Sequence, residues 1–187
     1  IFRFYLVRLT EICDNIKNAR GYMMKKATQI ESAPVFWYFE KICAIPHGSG
    51  DMDALSEYCM RFAEENGLQT VCDEAKNVVI YKPGTKGYEN AEPVILQGHL
   101  DMVCQKTEDS TMDFAKDGIE AFTDGNFIKA KGTTLGADNG IAVSMIMTIL
   151  ASRNLPHPPI EAVFTTDEEI GMLGAQRLGT AVLKGRR

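Results

Sequence analysis

Apolar residues recur along the chain at two spacings, one typical of helices and one typical of strands. Helices are predicted at residues 34–45, from Asp51 or Asp53 to about residue 66, at 141–152, and from 170 to about 178. Strands are predicted at residues 68–72, 77–81, 93–97, 118–122, 127–129 and 161–165. Because helical and extended segments alternate, the pattern favours an α/β fold with helices layered on a sheet.

Proline, glycine and short polar residues separate these segments. The run Pro46-His47-Gly48-Ser49-Gly50 ends the first helix, and Gly67 is placed to end the second. Residues 123–126, with the sequence Thr-Asp-Gly-Asn, are a strong signal for a hairpin turn between two short strands. Residues 141–152 are apolar on nearly all sides, so this helix is expected to be buried.

Composition and charge narrow the class of protein. With 45% hydrophobic and 24% charged residues, the 187-residue chain is typical of a soluble globular protein with one core. The formal charge of −5 argues against a nucleic-acid partner, and no apolar run is long enough to span a membrane. The five cysteines form no Cys-x-x-Cys pair, which predicts reduced thiols in a cytoplasmic protein.

The start of the chain is set apart from the rest. Its first nine residues are mostly apolar, but two arginines interrupt them and no small-residue cleavage site follows, which argues against a secretory signal. Met23 and Met24 stand just before the expected start of the domain. Residues 1–22 are therefore interpreted as an upstream extension of a domain at 23–187, with an amphipathic helix packed on that domain as the alternative.

Three polar, glycine-containing segments, each beside an apolar run, carry the candidate chemistry. They are Gly98-His99-Leu100-Asp101, Gly136-Ala137-Asp138-Asn139-Gly140 and Thr165-Thr166-Asp167-Glu168-Glu169-Ile170-Gly171. In α/β sheets ligands bind beyond the carboxyl ends of strands, where these segments are expected to fall. Together they offer one imidazole and several carboxylates, which is the donor set of a hydrolytic metal centre.

The first segment pairs a histidine with an aspartate. His99 directly follows a predicted buried strand, from which its side chain can emerge as a metal ligand. The alternative is a core histidine satisfied by a backbone carbonyl. Asp101 lies two residues further on, where a strand side chain points the same way. It can accept a hydrogen bond from the second ring nitrogen of His99, which would fix the tautomer and raise the basicity of the ligand.

The other two segments carry acidic residues. Asp138 lies between glycines just before the buried helix, where it is either a ligand or a simple helix N-cap. Asp167, Glu168 and Glu169 crowd three carboxylates together, which suits a helix N-terminus but is also relieved by a bound cation. Because successive side chains point apart, one glutamate can bind metal while the other acts as a general base.

These motifs, with residues 45–50 and 183–187, resemble the co-catalytic zinc peptidase family of aminoacylases and glutamate carboxypeptidases. The resemblance covers about residues 30–187 and points to the bacterial aminoacyl-histidine dipeptidase branch. Three motifs in the family's order are far more specific than any one of them. The resemblance implies a three-layer α/β/α catalytic domain with a mixed, mostly parallel sheet that is incomplete at its C-terminal end.

The resemblance also implies two zinc ions, for which cobalt or manganese can substitute, and a role for five residues. His99 would bind one zinc, Glu169 would bind the other, and Asp138 would bridge both. Glu168 would be the general base, and Asp101 would support His99. A cis peptide bond is implied directly after the bridging aspartate.

The implied activity is hydrolysis of small peptides, in particular Xaa-His dipeptides such as β-alanyl-histidine. In relatives a further acidic ligand, a final histidine and a lid domain lie beyond the position of Arg187, so this chain alone is expected to be inactive and to bind zinc weakly. A homodimer through that lid domain is the expected assembly. Two alternatives stay open, namely a non-catalytic remnant that acts as an interaction protein and a related N-acyl amino acid amidohydrolase.

Overall fold

The computed structural model describes residues 34–124 and 127–185. Its helices are α1 (Pro34–Cys43), α2 (Asp53–Glu65), α3 (Ala137–Ala151) and α4 (Leu173–Arg177), followed by a 3-10 turn at Thr180–Val182. Its strands are β1 (Gln69–Cys72), β2 (Val78–Lys82), β3 (Val94–His99), β4 (Ala121–Asp124), β5 (Phe127–Ala130) and β6 (Ile160–Thr165). The interpretation of residues 1–22 as an extension lies outside the described residues.

Four strands form the central sheet in the order β1-β2-β6-β3. The predicted mixed α/β sheet is confirmed, but the expectation that it is mostly parallel is wrong for the described strands. Only β3 and β6 run parallel, with Val94 opposite Ile160 and His99 opposite Thr165. A short turn joins β1 to β2 and permits only antiparallel pairing, whereas α3 provides the long crossover that parallel strands need.

The main core lies between one face of this sheet and the helices. It is built from apolar side chains of β2, β6, α2 and α3: Val78, Ile80, Ala162, Phe164, Leu55, Cys59, Phe62, Val143, Met147 and Leu150. Helix α3 packs against both α1 and β3, which explains why it is apolar on nearly all sides. The prediction of a buried helix here is confirmed, and its N-terminus is held at the end of β3.

The opposite face of the sheet carries a thinner layer made of α4 and the residues that follow it. The buried Glu161 carboxylate accepts hydrogen bonds from the backbone N–H groups of Lys184 and Gly185, each at 2.9 Å. This contact holds the end of the described chain over the sheet. A cleft of about 560 Å³ remains between the sheet and the end of the described chain, and His99 and Glu168 line it. The three-layer order is thus present, with one layer incomplete in the described residues.

Two local predictions differ from the structure in their extent. The helix predicted from residue 170 spans only Leu173–Arg177, because Gly171 has a φ of 113° and Met172 a φ of 58°, which no right-handed helix accepts. The predicted hairpin is confirmed, but Thr123 and Asp124, which were predicted in its turn, belong to β4 and pair with β5. Among the described residues, no helix has the length and hydropathy required to cross a membrane.

Lys82 connects β2 to the end of α3. Its Nζ donates hydrogen bonds to the backbone carbonyl oxygens of Ile149 at 2.8 Å and Ser152 at 2.5 Å. Carbonyls at the end of a helix lack a full set of partners within it, and a cation there also favours the helix dipole. Lys82→Met is therefore expected to lower the free energy of unfolding by about 1–2 kcal/mol, measured by urea denaturation. Lys86→Met, at an exposed position, should be neutral, and equal effects at both positions would contradict this account.

The cleft on the thin face is lined by apolar side chains, including Ile95, Val163, Leu183 and the 55% exposed Met172. We expect the isolated chain to bind an apolar fluorescent dye there, because this surface gains free energy when it leaves water. Met172→Gln should weaken the fluorescence, whereas Phe127→Gln, at a 69% exposed position on β5, should not. Absent dye binding together with a sharp cooperative melt would contradict the expectation.

Candidate metal centre

His99 is the last residue of β3 and is only 6% exposed. Its Nδ1 lies 2.9 Å from the backbone oxygen of Asp101, and its Nε2 lies 3.2 Å from Asp138 Oδ1. A carbonyl oxygen only accepts hydrogen bonds, so in the neutral ring Nδ1 carries the hydrogen and Nε2 presents its lone pair to the carboxylate. A lone pair and a carboxylate oxygen repel at this distance unless a proton or a metal cation lies between them.

The same contacts set the protonation of His99. Burial lowers the pKa of His99, but its hydrogen bonds to Asp101, the negative charge of Asp101 and the hydrogen bond to Asp138 outweigh burial and raise the pKa to about 9. The imidazole therefore holds a proton at neutral pH, and a cation that binds at Nε2 must displace it. Asp101 and Asp138 therefore favour a positive charge at this nitrogen.

Asp101 is 1% exposed, and its carboxylate connects several parts of the site through hydrogen bonds. Its carboxylate accepts hydrogen bonds from Ser49 Oγ at 2.7 Å and from the backbone N–H groups of Glu168 at 2.9 Å and Glu169 at 3.1 Å. Burial raises the pKa of Asp101, but the His99 ring 3.5 Å away and the hydrogen bonds from Ser49 and the two backbone amides outweigh burial and hold the pKa well below its usual range.

The role of Asp101 toward His99 differs in detail from the prediction. Its backbone oxygen, and not its carboxylate, is the close acceptor for Nδ1, since the nearer carboxylate oxygen lies 3.5 Å away. The carboxylate has turned toward the two amides that need an acceptor. Asp101 thus supports the histidine with its main chain and the acidic residues with its side chain.

Glu168 and Glu169 lie in the loop that connects β6 to α4, and not at the start of a helix as predicted. The buried Asn77 holds both ends of this loop, since its Oδ1 accepts the N–H of Thr166 at 3.0 Å and its Nδ2 donates to the oxygen of Gly174 at 2.8 Å. A Cβ on Gly174 would stand 2.3 Å from the oxygen of Thr166, so only glycine permits this closure. Sequence reasoning missed Asn77, whose partner Thr166 is 89 positions away.

Three candidate ligands converge at the adjoining ends of β3 and β6. Single donor atoms of His99, Glu168 and Glu169 lie within 4.8 Å of one another. Asp138 borders this cluster through its 3.2 Å contact with His99, and its side chain is 81% exposed. The peptide bond between Asp138 and Asn139 is cis, as the resemblance implied. Asp138 is not an N-cap, because the cap position is Gly136 and no side chain caps the helix.

The chain is similar to several known peptidases. It is 46% identical over 152 residues to the cytosol non-specific dipeptidase of Escherichia coli (strain K12), which covers 81% of this chain and 31% of that protein. Its fold matches the aminoacylhistidine dipeptidase of Vibrio alginolyticus with a TM-score of 0.82 and 46% identity, over 86% of this chain and 33% of that one. A tripeptidase of Staphylococcus aureus shares the fold at a TM-score of 0.67 and 22% identity, over 81% of this chain and 41% of that one.

The chain thus spans about a third of the length of the two dipeptidases. A family model described as peptidase family M28 matches residues 77–184, which is more than half of the chain. This range contains all of the predicted site residues: His99, Asp101, Asp138, Glu168 and Glu169. The resemblance to a peptidase family that the motifs indicated is confirmed, and the chain belongs to peptidase family M28.

Proposed function

We propose that the whole protein is a metal-dependent dipeptidase of the cytoplasm that cleaves Xaa-His dipeptides such as β-alanyl-histidine. The observation that carries this proposal is the convergence of donor atoms of His99, Glu168 and Glu169 within 4.8 Å at one edge of the sheet. The names of the two 46% identical relatives, a cytosol non-specific dipeptidase and an aminoacylhistidine dipeptidase, support the substrate class and the location.

The donor set fits zinc. One imidazole nitrogen and several carboxylate oxygens are ligands that zinc accepts, and because Nδ1 contacts a backbone carbonyl, Nε2 of His99 is the nitrogen that would bind zinc in place of its proton. Two zinc ions are proposed, of which His99 would hold one and Glu169 the other, while Asp138 would contribute to both; cobalt or manganese could substitute. When bound, the metal polarises the scissile carbonyl and makes water acidic enough to ionise near neutral pH.

Glu168 is proposed as the general base. Its carboxylate lies 3.9 Å from Nε2 of His99, and its side chain is 40% exposed to the cleft, so both a water molecule and a peptide can reach it. The carboxylate takes a proton from the attacking water and returns it to the amine that leaves. The hydrogen bond from its backbone N–H to Asp101 fixes the main chain from which this side chain extends.

The proposal is tested by hydrolysis of β-alanyl-histidine with the whole protein purified from its natural source. We expect cleavage that a chelator abolishes and added zinc restores. A protein that binds metal without cleaving this dipeptide would move the search to other amides, such as N-acyl amino acids. A protein that neither binds metal nor cleaves any of them would favour the non-catalytic interaction protein.

The isolated 187-residue chain is expected to bind zinc weakly and to show no turnover. Metal affinity depends on the full number of ligands in a preformed site, and this chain spans about a third of its dipeptidase relatives. A homodimer through the lid domain of the whole protein stays a prediction. Zinc titration of the isolated chain beside the whole protein measures the difference directly.

A further inference from the structure

The loop of residues 47–50, which we call the brace loop, follows α1 and contacts two of the three segments that carry the candidate ligands. Ser49 Oγ donates to Asp101 Oδ2 at 2.7 Å, two residues after His99 in sequence. The backbone N–H of Gly50 donates to Asp167 Oδ1, also at 2.7 Å, next to Glu168 in sequence. Both contacts join residues that are more than 50 positions apart.

The brace loop also borders the third segment. His47 is 3% exposed, and its backbone oxygen accepts the N–H of Met102 at 3.1 Å, which lays the loop alongside the chain that leaves β3. A Cβ on Gly136, two residues before Asp138, would stand 3.2 Å from His47 Nε2. A Cβ on Gly48 would stand 2.6 Å from Cys104 Sγ, so the loop sits tightly in its place.

We propose that the brace loop holds the metal-binding segments at a fixed spacing and that Ser49 is a positioning residue that acts through Asp101. The proposal rests on the proposed function, because the groups it positions are the proposed ligands and the proposed base. The hydroxyl of Ser49 donates its hydrogen bond to the Asp101 carboxylate, which is not one of the proposed ligands.

The Asp101 carboxylate connects Ser49 to the backbone of Glu168 and Glu169. Oδ1 accepts the N–H of Glu168, while Oδ2 accepts both the N–H of Glu169 and the hydroxyl of Ser49. Without the Ser49 hydroxyl, Oδ2 keeps one donor, and the carboxylate is freer to rotate about its bond to Cβ. Since Asp101 is 1% exposed, water has little access to replace the lost donor. Rotation would shift the two amides and, with them, the glutamate side chains.

Asp167 supplies the second contact of the brace. Its φ of 53° is a left-handed backbone conformation, and its backbone oxygen accepts the N–H of Leu173 at 3.0 Å. The converging donor set contains Glu168 and Glu169 but not Asp167. The third carboxylate of the acidic run therefore binds the brace loop, which separates its negative charge from those of the two glutamates.

The test measures the affinity of the whole protein for cobalt ion alone by visible absorption. Ser49→Ala is expected to weaken cobalt binding about tenfold or more, the usual cost of losing a group that orients a ligand. Ser49→Thr, which keeps the hydroxyl, should bind cobalt with the affinity of the unaltered protein. Thr85→Val is the matched control: it removes a hydroxyl that donates to the backbone oxygen of His157 at 3.1 Å, just before the start of β6, whereas the acidic loop follows the end of β6. It should lower stability but leave cobalt affinity unchanged.

A second readout needs no metal. Hydrogen exchange of the Glu168 and Glu169 backbone amides should be faster in Ser49→Ala than in the unaltered chain, and unchanged in Thr85→Val. Asp167→Ala should also speed it, whereas Asp167→Asn keeps an acceptor for the Gly50 amide and should not. If Ser49→Ala and Thr85→Val change exchange equally, the brace is overturned. If the unaltered chain and the whole protein bind no cobalt, the proposed function fails, while the exchange data still decide the brace.

Discussion

Replacing Glu168 with glutamine in the whole protein is expected to lower kcat for β-alanyl-histidine by about 10²- to 10⁴-fold. Glutamine keeps the size of the side chain that faces the cleft near His99, but a neutral amide cannot take a proton from water. The backbone hydrogen bond from residue 168 to Asp101 does not depend on the side chain, so the loop should keep its position. Steady-state kinetics with measured metal content test this.

The neighbouring glutamate provides the matched comparison. Glu169→Gln removes a proposed ligand, so its loss of activity should come with loss of metal and should be partly reversed by excess zinc. Glu168→Gln should keep its metal, and excess zinc should not restore its rate. If zinc rescues Glu168→Gln and leaves Glu169→Gln inactive, the two proposed roles are exchanged. If Glu168→Gln keeps the full rate, Glu168 is not the base.

Asp101→Ala is expected to lower the free energy of unfolding of the 187-residue chain by about 3 kcal/mol or more at neutral pH. The substitution leaves the Ser49 hydroxyl and the amides of Glu168 and Glu169 without their acceptor, beneath a site where Asp101 itself is 1% exposed. Urea denaturation measures the loss. Asp51→Ala, at an exposed position in the neighbouring loop, should change stability by less than about 0.5 kcal/mol.

The effect of Asp101→Ala should depend on pH in one direction. The pKa of Asp101 lies below its usual range in the folded chain, so the ionised carboxylate favours the folded state. This stabilisation is fully present above the ordinary aspartate pKa of about 4 and is lost as the pH falls from there toward the folded pKa. The difference in stability between the unaltered chain and the variant should therefore shrink below about pH 4. A difference that stays constant into acid would contradict it.

The pattern of apolar residues located the helices and strands well, because it reflects which residues are buried. The strand predicted at residues 161–165 is Ile160–Thr165, and the helix predicted at 141–152 is Ala137–Ala151. Both are buried on nearly all sides, so each appears in the sequence as a nearly continuous apolar run. The helix predicted from residue 170 begins only at Leu173. The residues before Leu173 belong to the acidic loop, which hydrogen bonds to Asn77 hold in a non-helical conformation. A tertiary hydrogen bond overrode the local preference there.

The sheet was harder to predict than its strands. Strand pairing joins β2 to β6 and β3 to β6 across long stretches of chain, and each pairing depends on which edges meet in the folded core. The apolar run of β3 gave no information on whether its neighbour runs parallel. The resemblance implied a mostly parallel sheet, while the central sheet of the described residues contains one parallel pair beside two antiparallel ones.

The candidate site residues lie in three short segments of the chain. An imidazole and carboxylates beside apolar runs and glycines are local features, so the sequence alone was enough to nominate His99, Asp101, Asp138, Glu168 and Glu169. Folding decided how they are used: the main chain of Asp101 supports His99, its carboxylate holds the amides of the acidic loop, and Ser49 and Asn77 complete the frame. These contacts join residues 52 to 89 positions apart, apart from the one between His99 and Asp101, and a hydrogen bond between distant residues leaves no periodic trace in the sequence.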